Sequence, residues 1–316
     1  MVFVRAVRLA AVAGVVFVVA LSACAAPGRV GDGGGLGTPA DDHEAVAQWA
    51  AEVADAWSPT GDAWQRGFVP LQDPITVEGA LLEPEKRALA AGWWASAVPL
   101  PADRPARGSV VFRDGALPVT VVSAAEAYQE MDLGDPPPCV SSSPSPVDPS
   151  AGPDGSVSAP AGGDCVGLTV RGVSLSSVEM RTSRGVATVP AWRFQLDDGR
   201  AVLRAAVADP SPVPSPAATP TRAAPPGIVA AQGVTGVSGL EVHYQLGVGA
   251  CDRDITPIVA ERPDVVVVTG GVTRAEGECT DQLLIEPVSV TLAEPLGDRP
   301  VLDGLNGTLL PVGPGF

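Results

Sequence analysis

The run Val265-Val266-Val267-Val268-Thr269 has no polar face. Amphipathic helices carry their apolar residues as a stripe, and a strand solvated on one side alternates. A short unbroken β-branched run therefore reads as a strand covered on both faces, which obliges the rest of the chain to supply two covering surfaces. Leu240 to Leu246, Ile255 to Ala260, Leu283 to Ile285 and the alternating Val288-Ser289-Val290-Thr291-Leu292 read as further strands, and Asn306-Gly307 marks a hairpin turn between Val301 and Leu309. Upstream, Arg113-Asp114-Gly115 separates Ser109–Phe112 from Leu117–Val122 as a second hairpin. Strand patterns continue at Gly167–Val170, Val173–Met180, Ala187–Val189, Ala191–Leu196 and Ala201–Val207.

Helical periodicity is confined to short stretches. After Asp41-Asp42, residues Val46, Trp49, Ala50, Val53 and Trp57 share one face. Asp62–Arg66 ends at Gly67, and a segment opening at Pro84 ends at Gly92. Ser123-Ala124-Ala125-Glu126 has the form of a capping box. The expected fold class is mainly β (α+β), with two small β-rich units, sandwich- or barrel-like, preceded by short helices. Trp49, Trp57 and Trp64 are expected to pack the helical lead onto the first unit.

The start of the chain has a different character. Arg5 and Arg8 precede an apolar run from Leu9 to Ala20, too short to span a bilayer comfortably, which closes on Leu21-Ser22-Ala23-Cys24. This resembles the lipobox of bacterial lipoproteins. The resemblance implies cleavage after Ala23, diacylation of Cys24 and a location on the extracytoplasmic face of the cell membrane, with membrane lipid as a partner through Cys24. Two or more acyl chains make such an anchor stable. The expected organisation is a signal peptide (1–23), a flexible glycine-rich tether (24–40), the helical lead with the first β-rich unit (41–208), a Pro/Ala/Ser linker (209–227) and the second β-rich unit (228–316). Residues 141–163, rich in Ser, Pro and Gly, read as a disordered loop within the first unit.

In an oxidising compartment the remaining cysteines, Cys139, Cys165, Cys251 and Cys279, read as disulfides. Three connectivities are open to four cysteines. Cys139–Cys165 and Cys251–Cys279 are favoured because the linker separates the pairs, and each staple is expected to contribute ~3 kcal/mol. Zinc is disfavoured: there is no Cys-x-x-Cys, and the histidines are His43 and His243 alone. Without residues 1–23 the chain has 18 basic and 36 acidic side chains, a net charge of −18. That excess argues against nucleic acid, which needs clustered cations.

Catalytic patterns are sparse. Ser238 sits in Gly236-Val237-Ser238-Gly239, the wrong spacing for a nucleophile elbow. His243 alternates within a strand, and Lys86 has no serine three residues before it. The stretch Gly233–Gly239 lacks the lysine of a phosphate loop and reads as a flexible lead into the second unit. Candidate ligand or calcium contacts are Asp252, Asp254, Glu276 and Glu278, gathered by the second disulfide, and the pair Trp93-Trp94, for which a wholly buried role is favoured, the alternative being one ring in the core and the other free for sugar or protein.

The segments Thr182-Ser183-Arg184-Gly185-Val186-Ala187-Thr188-Val189-Pro190-Ala191-Trp192 and Pro295-Leu296-Gly297-Asp298-Arg299-Pro300-Val301-Leu302-Asp303 resemble those of a family of actinobacterial secreted lipoproteins. The resemblance spans most of residues 108–314 and implies a shared fold, but it brings no activity and no cofactor with it. The chain reads as a non-catalytic binding or scaffolding protein acting on an envelope protein or a wall polymer. The alternatives are a carboxylate-dependent extracellular hydrolase using Asp252, Asp254 or Glu278, and a transporter's solute-binding subunit, for which the βαβ alternation is missing.

Overall fold

A computed structural model describes residues 39–134, 166–275, 277 and 279–314. Cys24 with the leader and tether, Cys139 and Cys165 with the loop between them, and Glu276 and Glu278 lie outside the described residues. Strand outweighs helix, 44% to 15%, so the fold is mainly β. Among the described residues no helix is long and apolar enough to cross a membrane.

The described chain opens with α1 (Pro39–Ala56) and α2 (Asp62–Arg66), followed by β1 (Ile75–Glu78), α3 (Glu83–Ala91), β2 (Trp94–Ser96), β3 (Gly108–Phe112), β4 (Gly115–Val119) and α4 (Ala124–Gln129). After the gap come β5 (Leu168–Val170), β6 (Gly172–Thr182), β7 (Gly185–Gln195) and β8 (Ala201–Ala205). The antiparallel sheet built from these is centred on β7. One edge of β7 pairs with β6 along its whole length, while the other is shared between β8 and β3, which extend the sheet to β1 and β4. Apolar residues cover both faces of this sheet. Trp192, Phe194 and Val202 meet Trp94, Met131 and the helices α3 and α4 on one side, and Met180, Val189 and Leu203 meet Phe68, Val110 and Phe112 on the other. Arg113-Asp114 makes the expected tight turn, with Phe112 opposite Gly115. The capping box at α4 is formed: Ser123 Oγ accepts from Glu126 N (3.2 Å), and Glu126 Oε2 accepts from Ser123 N (2.8 Å).

The second half contains β9 (Ile228–Val229), β10 (Ala231–Ser238), β11 (Glu241–Gly249), β12 (Arg253–Arg262), β13 (Val265–Thr273), β14 (Leu283–Thr291), β15 (Val301–Asp303) and β16 (Leu309–Leu310). Its sheets run β10-β11-β14 and β12-β13-β15-β16, with β9 alongside β13. The valine run occupies β13 and is fully buried. Val266 and Val268 face Tyr244, Leu246 and Val248 of the other sheet, while Val265 and Val267 face α1. That second contact corrects the expected packing of the helical lead. Trp49, Trp57 and Trp64 cluster with Ile258, Ala260 and Leu302 of the second half rather than with the first sheet. The cause is β13 itself, whose outer face is as apolar as its inner one and is closed by the stripe of α1. Trp49 Nε1 donates to the buried Gly304 O (2.9 Å), fixing the helix. Two local readings also change. The helix begins at Pro39, so Asp41 and Asp42 lie within its first turn. The glycine-rich stretch after Ala231 is strand β10, with two register shifts against β11, and not a flexible lead.

The two halves meet along a seam. Val312 N donates to Leu71 O (3.0 Å) and Asp73 N donates to Val312 O (2.8 Å), while Gly313 N donates to Val234 O (2.6 Å) and fixes the C-terminal segment within the second half. The Pro/Ala/Ser segment 209–227 runs without regular secondary structure. It is held by Ser211, which exchanges hydrogen bonds with the backbone of Phe68, and by Ala217 N to Gly307 O (2.9 Å).

Candidate functional site

Cys251 and Cys279 form the expected disulfide, joining the β11–β12 turn to the segment before β14. A cavity of about 440 Å³ lies beside it, lined among others by Gly247, Gly249, Asp252, Arg274, Asp281 and Leu283. Asp252 is the predicted site residue found here. Its carboxylate accepts from Gly249 N (2.7 Å) and from both sides of an Arg274 Nη1 contact (3.0 and 3.2 Å), so it holds the turn shut and is already neutralised. Asp254 is exposed at a left-handed backbone position (φ 52°), and its backbone carbonyl accepts from Thr256 Oγ1 (3.0 Å). Among the described residues no group of three or more His, Cys, Asp or Glu is placed to hold a metal ion.

The strand leaving this corner has an unusual surface. Leu283, Leu284 and Ile285 are 63%, 40% and 47% exposed, although they belong to a regular strand. Register explains it. Leu283 stands opposite Gly249 and Ile285 opposite Gly247, so β11 offers neither one a side chain to pack against. β14 is also the last strand of its sheet. The bonds Leu292 N to Leu240 O (2.8 Å) and Ala250 N to Gln282 O (3.1 Å) bracket the ladder, so even-numbered residues of β14 bond to β11 and odd-numbered ones turn their backbone outward. Pro287 is odd-numbered. Its missing N–H thus falls on the free edge, where it costs the sheet nothing and removes a donor that another strand would need. Leu283 and Ile285 lie on the same open edge.

Trp93 and Trp94 line neither this cavity nor the second one described below. Trp94 is buried edge-on against Tyr128 (6.4 Å between centroids), and Trp93 is half-buried against the same cluster. His243 is partly exposed, 3.8 Å from Glu241, and Lys86 pairs with Glu83 (2.7 Å), so neither is set against a nucleophile. A second cavity, also about 440 Å³, opens at the seam between the halves and is lined by Asp73, Ile75, Glu130, Met131, Leu133 and Val234 among others. Sequence reasoning passed over it. Asp73 precedes a proline and reads as a turn acid, and its neighbours come from both ends of the chain.

Comparison with family models, with curated proteins and with solved structures returned no match.

Proposed function

We propose that this chain is a lipid-anchored envelope protein, related to actinobacterial secreted lipoproteins, whose role is to bind another envelope protein rather than to catalyse a reaction. The observation that carries the reading is the bare aliphatic edge Leu283-Leu284-Ile285. A monomeric protein rarely leaves three consecutive large apolar residues uncovered on a strand edge, and such patches mark interaction surfaces. Aliphatic side chains beside open backbone groups suit an added strand from a protein partner, which supplies main-chain hydrogen bonds and side chains for the apolar pair. A sugar polymer would be better served by exposed aromatic rings, and both tryptophans of the Trp93-Trp94 pair pack against the core.

The lipobox Leu21–Cys24 supports the anchor. Metabolic labelling with an alkyne fatty acid should mark the wild-type protein and not a Cys24→Ser variant. For the binding role, full-length protein immobilised through its N-terminal region should retain a defined envelope protein that a Leu283→Asp/Ile285→Asp variant releases. Equal retention by both forms removes the support.

A further inference from the structure

The seam cavity has features that the β14 edge does not use. Its walls are apolar on the first half (Ile75, Leu89, Met131) and on the second (Val234), and its volume falls in the range of small-molecule pockets, which favour such junctions. One carboxylate is fixed against this apolar wall. Asp73 is gripped from both sides, its N donating to Val312 O (2.8 Å) and its Oδ1 accepting from Ile75 N (2.8 Å). The described residues offer its carboxylate no further hydrogen bond. Burial pushes its pKa above the ordinary aspartate value, and the nearby Arg204 offsets this only in part. Arg204 is itself committed to Glu130, the second acid lining the cavity. Asp73 and Glu130 against Arg204 leave one negative charge in excess. A carboxylate against an apolar wall, held by one backbone N–H and no cation of its own, costs stability, and such groups are found where a ligand's charge completes them.

We propose that this cavity binds a small amphipathic amine, with its ammonium group against Asp73 and its apolar body on Ile75, Leu89, Met131 and Val234. Such a ligand spans both halves and therefore bridges the seam.

The test is calorimetric titration of the full-length chain, in detergent, with phenethylamine and with its uncharged counterpart 2-phenylethanol. Phenethylamine should bind saturably, and the alcohol should bind about tenfold or more weakly. Asp73→Asn keeps the acceptor for Ile75 N and the shape of the side chain, and it should weaken phenethylamine about tenfold or more. Gly233→Leu, a lining position where an added side chain meets open space, fills the cavity by an independent route and should abolish binding, while Asp264→Asn, outside the lining, should leave it unchanged. Equal affinity for amine and alcohol, undiminished binding by Asp73→Asn, or no saturable binding at millimolar probe would each overturn the proposal.

Discussion

The guanidinium of Arg181 donates to the backbone carbonyl of Arg299, Nη2 to O at 2.8 Å, across the seam between the two halves. Its Nε and Nη2 also reach Gly297 O (3.1 and 2.9 Å). Nearby, the turn residue Gly185 faces the Asp298 carboxylate. The segments around Thr182–Trp192 and Pro295–Asp303 thus meet in space. Their residue types are tied to one interface: an arginine end-strand on one side and a carbonyl-presenting loop on the other.

Arg181→Ala should destabilise the protein by about 2–3 kcal/mol, because it strands two carbonyls that a charged donor now satisfies. Arg181→Lys should recover less than half, since an ammonium cannot reproduce the planar fork. Urea unfolding monitored by tryptophan fluorescence checks both. A loss below about 0.5 kcal/mol for the alanine variant would mean that the seam is held elsewhere.

Trp49→Ala should cost about 3–5 kcal/mol, as it removes a buried indole and its bond to Gly304. The location of the damage separates the observed packing from the expected one. Amide exchange should accelerate at Val265 and Val267, under α1, well before it does in β7.

Local chemistry made much of this readable in advance. The valine run demanded two covers, while Arg113-Asp114 closed the β3–β4 hairpin and Ser123 with Glu126 capped α4 by contacts within a few residues. The readings that failed depended on distant partners. Nothing in Trp49 says that its cover lies more than two hundred residues downstream. Glycines in β10 mimic a loop because strand pairing with β11, and not local preference, holds them extended. Asp73 is an ordinary turn acid until Val312, Arg204 and Val234 surround it. Asp252 reads in sequence as one of several acids near the disulfide, whereas in the fold its partners are Gly249 and Arg274.

Asp73 also makes a pH prediction. Its folded pKa lies above its unfolded value, chiefly through burial, so its stabilising contribution is present below the unfolded pKa and lost as pH rises through the folded one. Asp73→Asn should accordingly raise Tm at pH 7, and the gain should shrink as acidification protonates the native aspartate. A Tm difference independent of pH between 3 and 7 (the range of order where carboxylates titrate) contradicts this.

Glu126 behaves in the opposite sense. The Arg104 guanidinium and then the Ser123 N–H hold its pKa down to about 2. Its contribution is present above the unfolded pKa and lost as pH falls below it and through the folded value. Ser123→Ala should cost about 1 kcal/mol at neutral pH through loss of the cap. Glu126→Gln should flatten the acid limb of the stability profile, measured by thermal unfolding across that range.

The role proposed for the Leu283–Ile285 edge is to hold a protein partner. Photo-crosslinking in living cells tests it most directly, with a photoreactive residue placed at Ile285 in one strain and at Leu82, 67% exposed and remote in the chain, in another. One discrete protein adduct is expected from position 285, absent from position 82 and lost when Leu283→Asp is added. Identical adducts from both positions, or none from 285, would contradict it.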